Sequence, residues 1–338
     1  MKRIIVTRFS AMGDVAMVAS VLKEFQEQHS DTEIIMVSRK LFQAFFQHIP
    51  RITFHTIDPK GKHKGLFGLY KLFKELKAYN PDCVADLHNN IRSRILDKLF
   101  TLCGKQTVII NKGRAEKKEL TNPNNNNKKQ LKLTTERYAD VFRELGFPLT
   151  LSNRLTKQHR LIPNGLLADL ASNNHKIGIA PFAQHTFKVF PLHKMEVIIK
   201  YLSERGFSTY IFGGGKNESE IAEKWAQSYP HVINTIAVYK LEQELDIISH
   251  LDLMIAMDSS GMHMASLVGT QCLSIWGATH PYAGFIGYGQ SNADCIQVEH
   301  PNRPSSIYGN KSCICDGVEA IDLVTPEMVI AKIDSICV

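Results

Sequence analysis

Short runs rich in Ile and Val recur along this chain, each followed by a small or polar turn and then by a stretch with apolar residues three and four positions apart. Residues 2–9 (KRIIVTRF) read as a buried strand and residues 15–25 as a helix, joined by a short turn at 10–14. Strands apolar on both faces, alternating with one-sided helices, can be buried only as a parallel sheet with helices on both sides. The pattern continues with strands at 33–37, 52–57 and 81–87 and helices near 41–47, 67–79 and 134–145, the last stopped by Gly146 and Pro148. It restarts with strands at 176–180, 208–212, 251–257 and 271–276 and helices at 195–205, 219–227, 241–249 and from 258 through Leu267. A chain of 338 residues exceeds what one hydrophobic core usually spans. We therefore expect two α/β domains, 1–165 and 166–338, divided in the stretch Pro163, Asn164, Gly165, with a cleft between them.

Charge narrows the partners. Residues 1–165 carry 29 Lys and Arg against 15 Asp and Glu, a balance of +14, and the remainder 11 against 18, a balance of −7. A first half of that sign is built to meet an anionic partner, whether nucleic acid, a membrane surface or a phosphorylated glycolipid. Much of the charge falls at Lys60, Lys62 and Lys64 and in residues 112–132, which hold seven Lys and Arg, two Glu and an Asn run at 124–127 and read as a mobile basic loop. The basic runs lack interleaved aromatics and any helix-turn-helix or RNA-binding signature, so nucleic acid is not the expected partner. No uninterrupted apolar stretch reaches about 18 residues, so a cytoplasmic protein is expected. The seven cysteines form no CxxC pair, and reduced thiols are the simplest reading. Cys313 and Cys315 are then two loop thiols or half of a metal site, and no metal or cofactor is expected.

Chemistry gathers at the turns that follow strands. The turn at 10–14 has one glycine, Gly13, and so lacks the spacing that lets a dinucleotide pyrophosphate approach, which weighs against a nicotinamide oxidoreductase. Asp14 falls in the first turn of a helix, where the positive end of the dipole favours a carboxylate; it can serve as a general base or simply cap the helix. Asp258, Ser259, Ser260 and Gly261 follow an apolar strand and open another helix, so backbone N–H groups and hydroxyls there can converge on a phosphate. Lys188, after an earlier strand of the same half, can hold the other side of a pyrophosphate. His263, one turn into that helix, can touch the phosphate or pack in the core. The glycines at 213–215 admit close ligand approach or form an ordinary turn.

Together these residues resemble the ADP-heptose:lipopolysaccharide heptosyltransferases of glycosyltransferase family 9, over nearly the whole chain. RFSAMGD at 8–14 resembles the family's amino-terminal loop, whose Gly-Asp pair implies that Asp14 is the catalytic base. KVFP at 188–191 resembles a Lys-Arg-Trp-Pro motif, which implies a donor-phosphate contact for Lys188. GGGKNE at 213–218 is similar to the glycine-rich turn before a glutamate that faces the nucleoside, here Glu218. DSSGMH at 258–263 and WGATHP at 276–281 resemble two further signatures, placing His263 and Thr279 at the donor. Departures are Ala11 for a frequent serine, Ser260 for a glycine, and Val189 and Phe190 for Arg-Trp.

The resemblance implies a GT-B fold, two tandem Rossmann-like domains with parallel sheets facing an interdomain cleft, the acceptor domain first and the donor domain second, with a last helix that crosses back. It implies an inverting, metal-independent transfer of heptose from ADP-heptose to a lipid A–Kdo acceptor by a monomer, with room for peripheral contact at the inner membrane. Gly13, Lys60, Lys62, Lys64, His88 and Arg92 are the expected acceptor contacts. The same machinery with another nucleotide sugar, and a basic nucleic-acid-binding protein, are the alternatives.

Overall fold

The first apolar run becomes β1 (Lys2–Thr7), the centre of a five-stranded parallel sheet in a computed structural model that describes residues 1–163, 165, 166, 170 and 174–337. Around it lie β2 (Thr32–Ser38), β3 (Ile52–Thr56), β4 (Cys83–Asp86) and β5 (Gln106–Ile109), in the order β3-β2-β1-β4-β5. Ile5 stands opposite Ile35 on one side and Val84 on the other, so an apolar row crosses the sheet. That row is sealed on one face by Leu72, Phe73 and Leu76 of α2 (Gly65–Lys77) and by Leu96 and Phe100 of α3 (Ile91–Leu102). α1 (Met12–Gln28) packs against α5 (Thr134–Glu144), with the Phe25 and Phe142 rings 4.6 Å apart. Between α3 and α5 lies α4 (Arg114–Leu120).

The second sheet repeats the plan. β6 (Lys176–Ala180), β7 (Ser208–Ile211), β8 (Val232–Asn234), β9 (Leu253–Met257), β10 (Cys272–Ile275) and the short β11 (Cys295–Ile296) run parallel in the order β11-β10-β9-β6-β7-β8. The helices α6 (Leu192–Glu204), α7 (Lys216–Ser228), α8 (Leu241–Ser249) and α9 (Ser260–Val268) connect them. A two-residue antiparallel pair, β12 (Ile314–Cys315) and β13 (Val318–Glu319), precedes the final helix, α10 (Pro326–Cys337). The expectation that this helix crosses back meets a different arrangement: Val329, Ile333 and Cys337 are buried in the second unit's core beside Ile198 and Leu202 of α6.

The units part at Ser152 and Asn153 rather than at Gly165, whose neighbour Asn164 lies outside the described residues, and the second unit also takes Gly113–Leu133. Hydrogen bonds give the reason. After Ser152 the chain is tied to the second unit through Asn153 N–H to Tyr288 (2.8 Å), Gln158 N–H to the Val268 carbonyl (3.0 Å) and Lys157 Nζ to the Leu251 carbonyl (2.6 Å). The segment read as a mobile basic loop instead contains α4, with Lys117 over the Phe285 ring at 4.0 Å and Lys128 Nζ donating to the Arg303 carbonyl at 2.7 Å. With that segment reassigned, the first unit carries 20 Lys and Arg against 13 Asp and Glu, a balance of +7, and the second 20 against 20. The remaining excess is thus concentrated on the first sheet and its own loops.

Other differences are local. A 3-10 turn, Lys40–Phe45, stands where the periodicity predicts a helix at 41–47, long enough to bury Phe42 and Phe45 and no longer. α3, unread in the sequence, starts at an Asn90 cap whose side chain accepts Ser93 N–H at 2.9 Å while Ser93 Oγ accepts Asn90 N–H at 3.0 Å. No helix among the described residues is long and apolar enough to cross a membrane.

Ile255 sits in β9 between Ile179 and Leu273 and is fully buried. Ile255→Ala should lower the unfolding free energy in urea by about 3 kcal/mol. A loss below about 1 kcal/mol would contradict its place in the core.

Candidate active site

In each sheet the strand order reverses direction beside the first strand of the unit, between β1 and β4 and between β6 and β9. Loops leaving neighbouring strands in opposite senses open a crevice at that point, on the carboxyl edge of the sheet. Polar residues at these edges are half covered by the helices that follow, so they must find partners or lose more in desolvation than they gain.

In the first unit the organising group is Arg8, just after β1 and 7% exposed. Its guanidinium meets Asp14 Oδ2 at 2.5 Å and donates to the Leu87 carbonyl, after β4, at 2.8 Å. The ring of Tyr138 lies 5.9 Å from it, and Tyr138 Oη donates to Asp14 Oδ1 at 3.4 Å. Burial opposes the positive charge, yet Tyr138, Asp14 and Asp86 together raise the Arg8 pKa, so the cation persists. Asp14, the third residue of α1, also accepts Ala11 N–H at 3.3 Å. It therefore does cap its helix, with Arg8 holding the same oxygen.

Next to this pair, Phe9 N–H donates to Nδ1 of His88 at 3.0 Å and the two rings stack with centroids 5.1 Å apart. An acceptor Nδ1 fixes the neutral tautomer with its proton on Nε2. Burial, then the charges of Arg8 and Lys112, lower His88 to about 3, so it is a neutral hydrogen-bonding group at any physiological pH. Asp86 at the end of β4 anchors the loop, accepting from Thr7 Oγ1 (3.0 Å), His88 N–H (2.7 Å), Asn89 N–H (2.9 Å) and Ser93 Oγ (2.7 Å). Arg92 is exposed at the start of α3. Lys60, Lys62 and Lys64 stand apart, exposed on the loop after the edge strand β3, where Lys62 pairs with Glu75 at 2.9 Å.

In the second unit one contact joins two of the expected residues. Lys188 ends a 3-10 turn, Thr186–Lys188, after β6, and its Nζ lies 2.8 Å from Oδ2 of Asp258, the residue that follows β9. Asp258 is 4% exposed. Ser259 stands at the N-cap position of α9 without a capping hydrogen bond from its side chain, and Ser260 and Gly261 open the first turn. Gly261 is there for space: a Cβ at that position would come within 2.5 Å of the Ala180 Cβ, so glycine lets α9 start hard against β6. His263 is buried in the same turn. On the next loop Glu218 accepts Gly214 N–H at 2.7 Å, and a side chain at Gly213 would strike that carboxylate.

Thr279 is buried in the turn after β10, and Arg303 shapes that turn from beneath. Its guanidinium donates to the carbonyls of Gly277 (2.6 Å), Thr279 (2.8 Å) and Val298, and to Gln297 Oε1 (3.1 Å). Cys313 and Cys315 lie near it with sulfurs 4.0 Å apart, and no group of three or more His, Cys, Asp or Glu suited to a metal occurs among the described residues. Arg8, Tyr138 and Arg303 escaped the sequence reading. Arg8 was legible only as the first residue of the RFSAMGD run, with no role of its own, and Arg303 had no local signal, being a lone Arg in a loop.

These two edges sit on folds already known. A solved family 9 glycosyl transferase from Veillonella parvula is 18% identical, covers 99% of this chain and 97% of its own, and superposes with a TM-score of 0.74. The E. coli heptosyltransferase WaaC, solved with ADP, is 16% identical, covers 98% and 99%, and gives 0.69. The fold is that of a GT-B glycosyltransferase. The model of glycosyltransferase family 9 (heptosyltransferase) matches residues 69–311, and the chain belongs to that family. Lipopolysaccharide heptosyltransferase 1 of Campylobacter coli is 23% identical over 303 residues, 83% of this chain and 85% of that protein. The matched segment includes every second-unit residue expected at the donor, and Asp14 precedes it.

One further group has a measurable consequence. Asp97 of α3 is 3% exposed, and burial followed by the neighbouring Asp86 carboxylate raises it to about 9. The unfolded chain ionises Asp97 in the ordinary range near 4 while the fold retains the proton, so stability falls as pH rises from about 4 toward 9. Asn mimics the protonated form. Asp97→Asn should therefore be more stable than wild type at about pH 8, by at least about 1 kcal/mol, and lose less on going from about pH 5 to 8. Equal pH dependence in the two proteins would contradict a protonated Asp97.

Proposed function

We propose that this chain transfers heptose from ADP-heptose to a phosphorylated lipopolysaccharide core acceptor by a single inverting displacement that needs no metal ion. The observation that carries the reading is the division of charge between the two edges: a carboxylate held by Arg8 after β1, and Lys188 beside the amino terminus of α9. The ADP complex of WaaC, and its complex with ADP-2-deoxy-2-fluoro heptose, support a nucleotide-sugar donor of that kind.

In this reading Asp14 accepts the proton of an acceptor hydroxyl as its oxygen forms a bond to the anomeric carbon. The bond from that carbon to the donor phosphate breaks, and its electron pair leaves with ADP. Arg8 is a positioning residue, since it fixes one carboxylate oxygen without touching the reacting atoms. Charge on the departing diphosphate is met by the N–H groups of Ser260 and Gly261, the hydroxyls of Ser259 and Ser260, and Lys188. An ammonium has three N–H donors, and the contact with Asp258 uses one. A fixed cation and a helix amino terminus supply there what a divalent metal supplies elsewhere. His263 and Thr279 line the donor site, and Glu218 receives the nucleoside.

On the acceptor side Gly13 lets substrate approach the base, neutral His88 offers an N–H to a sugar oxygen, and Lys60, Lys62, Lys64 and Arg92 engage phosphates or carboxylates. The test is ADP release from ADP-heptose with heptose-deficient core lipopolysaccharide. Wild type should turn over unchanged in EDTA, and Asp14→Asn should be slower by at least about 100-fold. Full Asp14→Asn activity would refute the base, loss in EDTA the metal independence, and turnover of a different nucleotide sugar alone the heptose assignment. Lys62→Glu with Lys64→Glu should raise the acceptor KM about tenfold while sparing the donor KM, and an equal effect on both would discard the acceptor contact.

A further inference from the structure

α2 is amphipathic twice over. Its inner face, Leu69, Leu72, Phe73 and Leu76, is consumed by the first unit's core. Its outer face begins with Leu66 and Phe67, 71% and 93% exposed, and continues one turn later with Tyr70, half exposed. Single exposed apolar side chains are ordinary, but a Leu, a Phe and a Tyr on one helical turn form a patch that water solvates poorly. None of the three is needed inside, because the core stripe at helical spacing is already complete.

The patch lies in a lysine-rich segment. Residues 58–78 hold six lysines against Asp58 and Glu75, and both acids are engaged locally. Asp58 folds back on its own loop, accepting Gly61 N–H at 2.9 Å and Lys62 N–H at 3.2 Å, and Glu75 pairs with Lys62 at 2.9 Å. Lys60 and Lys64 are exposed on the loop before the apolar turn and Lys71, Lys74 and Lys77 along the helix after it, and Lys74 stands 5.1 Å from the Tyr70 ring centroid. A basic helix with Leu, Phe and Tyr presented outward matches the chemistry of an anionic bilayer surface, apolar side chains entering the acyl boundary and lysines meeting head groups. A second copy of the chain would oppose lysine to lysine.

We infer that the amino-terminal turn of α2 is a membrane anchor, in which Leu66, Phe67 and Tyr70 enter the interface of an anionic phospholipid bilayer and the surrounding lysines bind its head groups. Because β3 and β1 are parallel, the amino end of α2 leaves the same edge of the sheet as the loop bearing Asp14. Docking through this turn thus brings the carboxyl edge of the first sheet to the lipid surface. The anchor itself requires neither donor nor acceptor, so it stands or falls separately from the proposed transfer.

The test uses the full chain with vesicles of phosphatidylcholine, with and without phosphatidylglycerol, and with no glycolipid present. The chain should sediment with the phosphatidylglycerol vesicles and be released by salt. Replacing Leu66→Ser and Phe67→Ser together should weaken that partition by at least about tenfold. Both side chains are exposed, so the thermal midpoint of the double variant should match wild type. Trp225 and Trp276 are buried in the second unit, so Phe67→Trp adds a distinct reporter whose emission should shift to the blue on vesicle binding. Failure to bind anionic vesicles, undiminished binding of the double serine variant, or unshifted Phe67→Trp emission in the bound state would each overturn the anchor.

Discussion

A parallel sheet delivers every strand's carboxyl end to one edge, and helices folding back over both faces leave the polar groups of that edge partly out of water. Each charge there must be paired or neutralised. The whole arrangement of this protein follows from that demand. Arg8 is buried and answers it with Asp14, the Leu87 carbonyl and the face of Tyr138. Asp258 answers it with Lys188. Asp97 has a carboxylate for a neighbour and answers it by keeping its proton.

The two units solve the same problem with different chemistry at equivalent places. β1 and β4 of the first sheet correspond in order to β6 and β9 of the second, and an aspartate closes or follows the second strand of each pair. Asp86 gathers two hydroxyls and two backbone N–H groups, and so stiffens a loop that presents neutral His88. Asp258 takes an ammonium instead, which leaves a cation beside a helix amino terminus. In the proposed reading one edge offers a base and the other a phosphate cradle, the two parts that a displacement at a glycosyl phosphate needs. Buried pairs of this kind add little net stability compared with apolar packing. Their presence at both switch points is better explained by chemistry than by folding.

Most of the strands and helices were legible because a contiguous apolar run gives way to apolar residues three and four apart wherever a strand is followed by a helix. The placement of the residues proposed for the donor was legible for a related reason: Asp258 to Gly261 and Lys188 follow strands of one sheet, and a turn after a strand has few places to go. α3 was missed because its cap pairs Asn90 with a serine in place of Glu or Gln. The division at Ser152 was hidden because it rests on hydrogen bonds between residues about a hundred apart, such as Lys157 with Leu251. Arg8 and Arg303 were illegible as site residues, since what distinguishes them is the set of carbonyls and carboxylates the fold packs around them. The basic half was overread: six of its cations lie on residues 113–133, which belong to the balanced second unit.

The division of labour between the two edges is tested most directly by calorimetric titration of ADP into wild type, Asp14→Asn and Lys188→Met, each first shown to be folded by circular dichroism. The account predicts that wild type and Asp14→Asn bind ADP alike and that Lys188→Met binds at least about tenfold more weakly. Wild-type affinity in Lys188→Met, or loss of ADP binding in Asp14→Asn, would contradict it.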